Sequence, residues 1–305
     1  NLQENNAGTE QASIYLRDGS QLIQGSGSTL NSGNGYISIY QTVDETSNFH
    51  YNFWHSPVGN QVLAASGNVN AGVSRLYDSI TDTNSEIVTT TAGSNGNSTT
   101  NPITVSTRWI YKRLSSAANE QEANYIHVGA NDQVPVGYGF TMKGVSDGAN
   151  TQSQRYDFRG RPNNGTINVP VNTGSGIQWT LSGNPYPSAM DLKLFYWDND
   201  DENGLEQILF WDEPKDDEYS HNYNAKSGGY GIWVPGPALP GDDTDQGLYT
   251  APPFKNYSAN GGLGGDSGTG DVADIDRRYS PVGQGFVLRK DGTTSTSVTI
   301  NNSHR

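Results

Sequence analysis

The chain contains no cysteine among its 305 residues. Disulfides therefore cannot staple it, and zinc sites built on thiolates are excluded. Basic residues are scarce, 18 Lys and Arg against 32 Asp and Glu, for a net charge of −14. Such a surface repels nucleic acid and anionic membranes, so neither is expected as a partner. No run approaches 18 consecutive apolar residues, which excludes a membrane-spanning helix read from sequence. Strong helix formers are thin: two Met, and no long Ala/Leu/Glu segment. The chain opens at Asn1 without a leader and is expected to be a processed piece of a longer precursor.

What is present is β chemistry. Tyr (17), Trp (6), Val and Thr suit pleated, half-buried surfaces, and 37 glycines with 14 prolines supply the turns between them. So many aromatics imply a packed core although only 32% of residues are hydrophobic. Short strand-like runs such as "GYISIYQ", "FHYNFW", "LKLFYW", "EQILFW", "YGIWV" and "TSVTI" recur between Gly/Asn/Ser clusters. The expectation is an all-β chain of the sandwich or jelly-roll kind. "SIYLRDGSQLIQG" reads as a hairpin about Asp18-Gly19. The only helical candidate is Ser115 to Asn124. Two polar segments, Thr89 to Pro102 and Pro235 to Arg278, read as long loops.

One phrase occurs twice: "PVGYGF" at Pro135 to Phe140 and "PVGQGF" at Pro281 to Phe286. Proline restricts entry to a strand, glycine permits a left-handed residue or bulge, and Phe enters the core. A Trp-ended strand followed by a Pro/Gly turn precedes each phrase, at Trp54 and Trp179. The pattern suggests duplication of one β module, residues 1–145 and 150–305, with Phe140 and Phe286 equivalent, each beside its half's Trp. Gly-x-Gly here lacks the third glycine and the βαβ context of a dinucleotide site.

Taken together, "YNFWHSPVG", "YDFRGRPNNGTI", "LSGNPYPSAMDL", "SHNYNAKSGGYGIW" and "GQGFVL…VTINNSHR" resemble a region of large secreted Bacteroidota proteins, over Tyr36 to Arg305. There it lies upstream of a type IX sorting domain, which is expected here either to have been cleaved or to lie outside a fragment. The resemblance implies export across the outer membrane and an adhesin-like or surface-fibre role at the cell surface, without catalysis.

The residues offer several candidate sites. The five histidines show no HExxH spacing, and "GDSGTG" lacks the rest of a serine protease. The carboxylates of "FYWDNDDENGLEQILFWDEP" cluster in a polar turn, where neither would be held protonated as a glycosidase requires. Asp198, Asp200 and Glu202 before Gly204, and Asp242, Asp243 and Asp245 in "GDDTDQG", offer hard oxygen ligands suited to calcium; Asp-rich turns without metal are commoner. Trp197, Trp211, Tyr230 and Trp233 fall in neighbouring runs and suit stacking on glycan faces, against the plainer reading of core aromatics. "DSI" places Ser79 in an O-glycosylation pattern of the same bacteria. The expected function is a non-catalytic structural or adhesive module, with carbohydrate binding or carbohydrate-active chemistry as the alternative. The terminal strands are expected to pair with other copies of the chain, with the rest of the precursor, or within their own domain.

Overall fold

The computed structural model describes residues 12–25, 35–60, 68–115, 125–146, 153–171, 178–200, 204–214, 219–238, 242–260, 262–270, 277–290 and 295–305. The fold is all-β and sandwich-like. One sheet runs, in strand order, through Ala12–Leu16, Tyr36–Val43, Gln154–Pro162, Leu76–Ser79 and Ser85–Ile87, with Val58–Gly59 against the central 154–162 strand. A larger sheet runs through Leu263–Thr269, Pro253–Tyr257, Ser227–Val234, Leu205–Asp212, Gly285–Lys290, Gln178–Gly183, Tyr111–Ser115, Phe140–Lys143 and Tyr51–Trp54. Tyr125–His127 flanks its 111–115 strand, and Leu248–Thr250 its 227–234 strand. The large sheet curls: Trp54, at one end of the strand order, bridges Gln284, and His55 N–H donates to Gly283 O at 2.9 Å.

Strand periodicity sorts the side chains. On one face, Trp54, Phe140 and Met142 join Ile37, Ile39, Leu76 and Phe158 of the smaller sheet in a first core. Ile208, Phe210, Trp233, Phe286 and Leu288 of the same large sheet join Ile167, Val169, Val298, Ile300 and Phe195 in a second. The curled face holds a third cluster: Trp179, Leu181, Leu209, Tyr230 and Val287, with Phe53 and Trp211 against it.

There are thus two main cores, but the sheets do not divide at residues 145–150. The 154–162 strand pairs with 36–43 over seven residues, so it completes the first sheet, and the 178–183 strand pairs with 111–115 across the expected boundary. The doubled phrase does fold twice in the same way. Tyr138 N–H reaches Pro135 O at 3.0 Å, and Gln284 N–H reaches Pro281 O at 3.2 Å. The third turn residue has positive φ in both, Gly137 at 99° and Gly283 at 79°, as a type II turn demands. A Cβ on the second glycine would lie 2.2 Å from Ser182 O at Gly139 and 2.5 Å from Phe53 C at Gly285. These glycines are where the curled strands cross. The Trp equivalence fails, however. Trp54 stands opposite Phe140, whereas Phe286 stands opposite Ser182, and Trp179 opposite Arg289.

Other expectations shift for local reasons. Asp18 and Gly19 do form a left-handed turn, φ 52° and 77°. The chain after it leaves the sheet, however, with Leu22 N–H bound to Pro187 O, and 12–16 pairs in parallel with 36–43 instead. "LKLFYW" is a helix, Leu192–Trp197, because the Asp191 carboxylate caps the N–H groups of Lys193 and Leu194. Among its described residues, the glycine-rich segment 235–278 carries three strands, at Leu248–Thr250, Pro253–Tyr257 and Leu263–Thr269. Thr89–Thr91, in the other polar segment, pairs in parallel with Thr104–Ser106. The candidate helix lies, after Ser115, outside the described residues.

Candidate functional site

Alternation also builds a pocket. Residues of opposite parity to the core set, Tyr51 and Phe53, Tyr111, Thr141 and Lys143, Trp211 and Glu213, project to the curled face. There they enclose a chamber of about 70 Å³ with Tyr125, Tyr223, Lys226, Tyr230 and Tyr257. A cavity needs roughly 10–15 Å³ to admit a first water, so the chamber is large enough for solvent or a small group. Tyr111, His221 and Tyr223 also line an adjoining outer cleft of about 680 Å³ with Arg108, Trp109, His127, Asn222 and Asn224.

The aromatic frame is cross-braced. Trp211 stands opposite Tyr230 on paired strands, with ring centroids 5.1 Å apart and near edge-on, and stacks parallel to Phe53 at 6.0 Å. A Cβ at Gly228 would meet the Trp211 ring at 2.6 Å, so that glycine gives the indole its space. Tyr125 and Tyr230 share a 2.8 Å hydroxyl hydrogen bond. Buried Arg113 lies over Trp179 at 4.7 Å and Tyr125 at 5.0 Å.

Three charged groups line the chamber. Glu213 accepts a short hydrogen bond from Tyr51 N–H and lies 3.4 Å from Lys226 Nζ, which donates to Phe49 O at 2.6 Å. Lys143 Nζ sits 4.0 Å from the Trp109 ring centre and 4.7 Å from that of Tyr51. Burial, then the nearby Lys226 charge, bring the Lys143 ammonium from 10.5 down to about 7, with Glu213 opposing. Burial, and then Tyr223, raise the Tyr51 hydroxyl well above its ordinary value. His221 stacks on Trp109, centroids 5.0 Å apart and 10° from parallel, and its Nε2 is 2.6 Å from Asn95 Oδ1. Trp109 donates to Ser94 O at 2.6 Å. The polar segment read as a loop therefore holds the cleft wall in place.

Of the four aromatics proposed from sequence, Trp211 and Tyr230 enter the chamber. Trp233 does not: its parity matches Ile208, and it is fully buried in the second core with its indole N–H on Gln246 O. Trp197 ends the helix, partly exposed. The carboxylates are elsewhere. Asp198 accepts from His304 Nε2 at 2.8 Å, Asp200 lies in the following turn, and Glu202 is outside the described residues. Asp245 meets buried Lys193 at 3.2 Å, Asp243 meets Arg278 at 3.2 Å, and Asp242 accepts from Thr244. These three already face cations and N–H groups of the chain. Among the described residues no three His, Asp or Glu converge as metal ligands. Ser79 donates to Tyr40 Oη at 2.6 Å and accepts from Arg155.

Sequence reasoning missed Lys143, the base that closes the first copy of the doubled phrase, and the stretch His221 to Ser227. The latter lies within "SHNYNAKSGGYGIW", one of the motifs carrying the family resemblance, and that was its available signal.

A family model for a domain of unknown function, DUF8693, matches residues 2–305, and the chain belongs to that family. No curated protein and no solved structure matches it. Among the described residues no helix is long and apolar enough to cross a membrane.

Proposed function

We propose that the chain is a non-catalytic carbohydrate-binding module, adhesive in role and displayed outside the cell. The observation that carries this is a pair of neighbouring cavities: a cleft with a stacked Trp109–His221 wall, Tyr111 and the side chains of Arg108, Asn222 and Asn224, and an aromatic chamber that shares Tyr111, His221 and Tyr223 with it. Flat rings beside amide and guanidinium donors match a sugar's apolar face and equatorial hydroxyls. The resemblance to exported surface proteins supports an extracellular setting.

A glycan array probed with the intact chain, followed by titration of the best hits, tests this. Tyr111→Ala is expected to weaken binding at least tenfold, as loss of a central aromatic contact does. An array without hits refutes the reading.

A second reading, assembly by strand addition, has one feature in its favour. Among the described residues Leu263–Thr269 ends the large sheet, and it is exposed throughout; an edge strand is a template for a partner. Sedimentation over a wide concentration range decides it: a chain monomeric at every concentration excludes it.

A further inference from the structure

The chamber holds two buried lysines, Lys143 and Lys226, against one acid, Glu213. Lys143 is only 3% exposed. The acid lining the chamber, Glu213, is committed to Lys226 and to Tyr51 N–H. The one side-chain hydrogen bond of Lys143 among the described residues is long, 3.4 Å, to His221 Nδ1. Nε2 of that imidazole lies 2.6 Å from Asn95 Oδ1, and in the tautomer that donates to it Nδ1 is the acceptor facing Lys143. The rings of Trp109 and Tyr51 lie within 4.7 Å of Lys143 Nζ, and the Lys226 and Glu213 charges act on it across the chamber. Such an ammonium is costly to bury unless something negative joins it.

We propose that the chamber receives the carboxylate of an acidic sugar, with Lys143 as its counter-charge and Lys226 as a second cation. This rests on the glycan reading above. The sugar ring lies in the outer cleft against Tyr111 and His221, which Trp109 backs, and the carboxylate passes the Tyr111–His221–Tyr223 wall into a chamber large enough for its three heavy atoms. The overall charge of −14 repels anions at a distance, so selectivity must come from the buried cations at contact.

The groups facing Lys143 set the pH dependence. Tyr51 comes from strand 51–54, Tyr111 from 111–115, Glu213 from the end of 205–212, and His221, Tyr223 and Lys226 from the segment before 227–234. Lys226 disfavours the Lys143 charge and Glu213 favours it. The carboxylate binds the protonated amine. Affinity is therefore full below about pH 7 and falls as pH rises above it, by at most tenfold per pH unit, until the higher value reached in the complex takes over. Binding above pH 7 takes up a proton.

Calorimetric titration of the intact chain with a trisaccharide ending in glucuronate, and with its glucose-ended counterpart, tests the proposal. At pH 6 the acidic ligand should bind about tenfold more tightly or better, the effect of one charge-assisted pair, and the preference should shrink toward pH 9. Lys143→Met should abolish it while circular dichroism stays unchanged. Lys143→Arg should keep it and lose its decline between pH 7 and 9, because a guanidinium does not titrate there; this second variant decides should the first misfold. Equal affinity for the two ligands, or a preference surviving in Lys143→Met, overturns the proposal and leaves the glycan reading standing. A glutamate-ended peptide matching the glucuronate ligand overturns the sugar assignment. If no saccharide binds at any pH, the glycan reading falls with it.

Discussion

His55 is buried where the curled strands meet, its Nδ1 on Ser56 O and, among the described residues, no partner for Nε2. Burial holds its imidazole at about 4 in the fold, against 6.5 ordinarily. Between these values the unfolded chain binds the extra proton, so stability is whole above pH 6.5 and drains as pH falls toward 4. At about 1.4 kcal/mol per pH unit the loss from this residue approaches roughly 3 kcal/mol. Urea unfolding of wild type and His55→Gln at pH 7 and 4.5 measures it; an identical pH slope in the variant contradicts the assignment. Asp157 makes a different single-residue case. Fully buried, it accepts from Ser38, Ser85 and Arg159 at 2.6–2.8 Å. Asp157→Ala strands the Arg159 charge and should cost about 3–5 kcal/mol. An unchanged urea midpoint would rule that out.

At the scale of elements, the turn-plus-strand unit was legible because glycine is forced there: only glycine tolerates both the positive φ at 137 and 283 and the crossings at 139 and 285. Gly139→Ala and Gly285→Ala should each destabilise by about 1–3 kcal/mol, the usual cost of overpacking, seen as a lowered denaturant midpoint; a midpoint within error of wild type would mean that the backbones part easily. The helix at 192–197 was not legible, since "LKLFYW" has strand-like composition and only the Asp191 cap decides for helix. The C-terminal strand was read for its β character, but not for its partner. Ser297–Ile300 pairs with Ile167–Pro170, and the Asn199 side-chain amide binds both N–H and C=O of Thr299 along its other edge. Val298 and Ile300 are fully buried, worth about 3–6 kcal/mol together. Deleting Ser295 to Arg305 should therefore lower the melting temperature sharply. Loss of association at an unchanged melting temperature would instead mean that the strand serves another copy.

For the whole molecule, the cavity draws on both sides of the chain: strands 51–54, 111–115 and 140–143 on one side, 205–212 and 227–234 on the other. Separate pieces 1–145 and 150–305 should neither bind ligand nor give sharp unfolding transitions, and a piece that did either would restore the view of two independent modules. The all-β class was readable from composition and turn spacing, and two of the chamber's aromatics, Trp211 and Tyr230, from local chemistry. The chamber itself was not, because residues such as Lys143 and Glu213 meet only through pairing partners far apart in the chain, which no local pattern reports. That same interleaving has a temporal side. Trp54 finds Gln284, its partner in closing the curl, only after some 230 further residues exist. At roughly 5–20 residues per second of synthesis that is a wait of some tens of seconds, and topologies so rich in distant contacts are slow to form thereafter. The aromatic face around Phe53 must stay wet throughout that interval, so the nascent first half is the stage at which the chain is most prone to aggregate or to engage a chaperone.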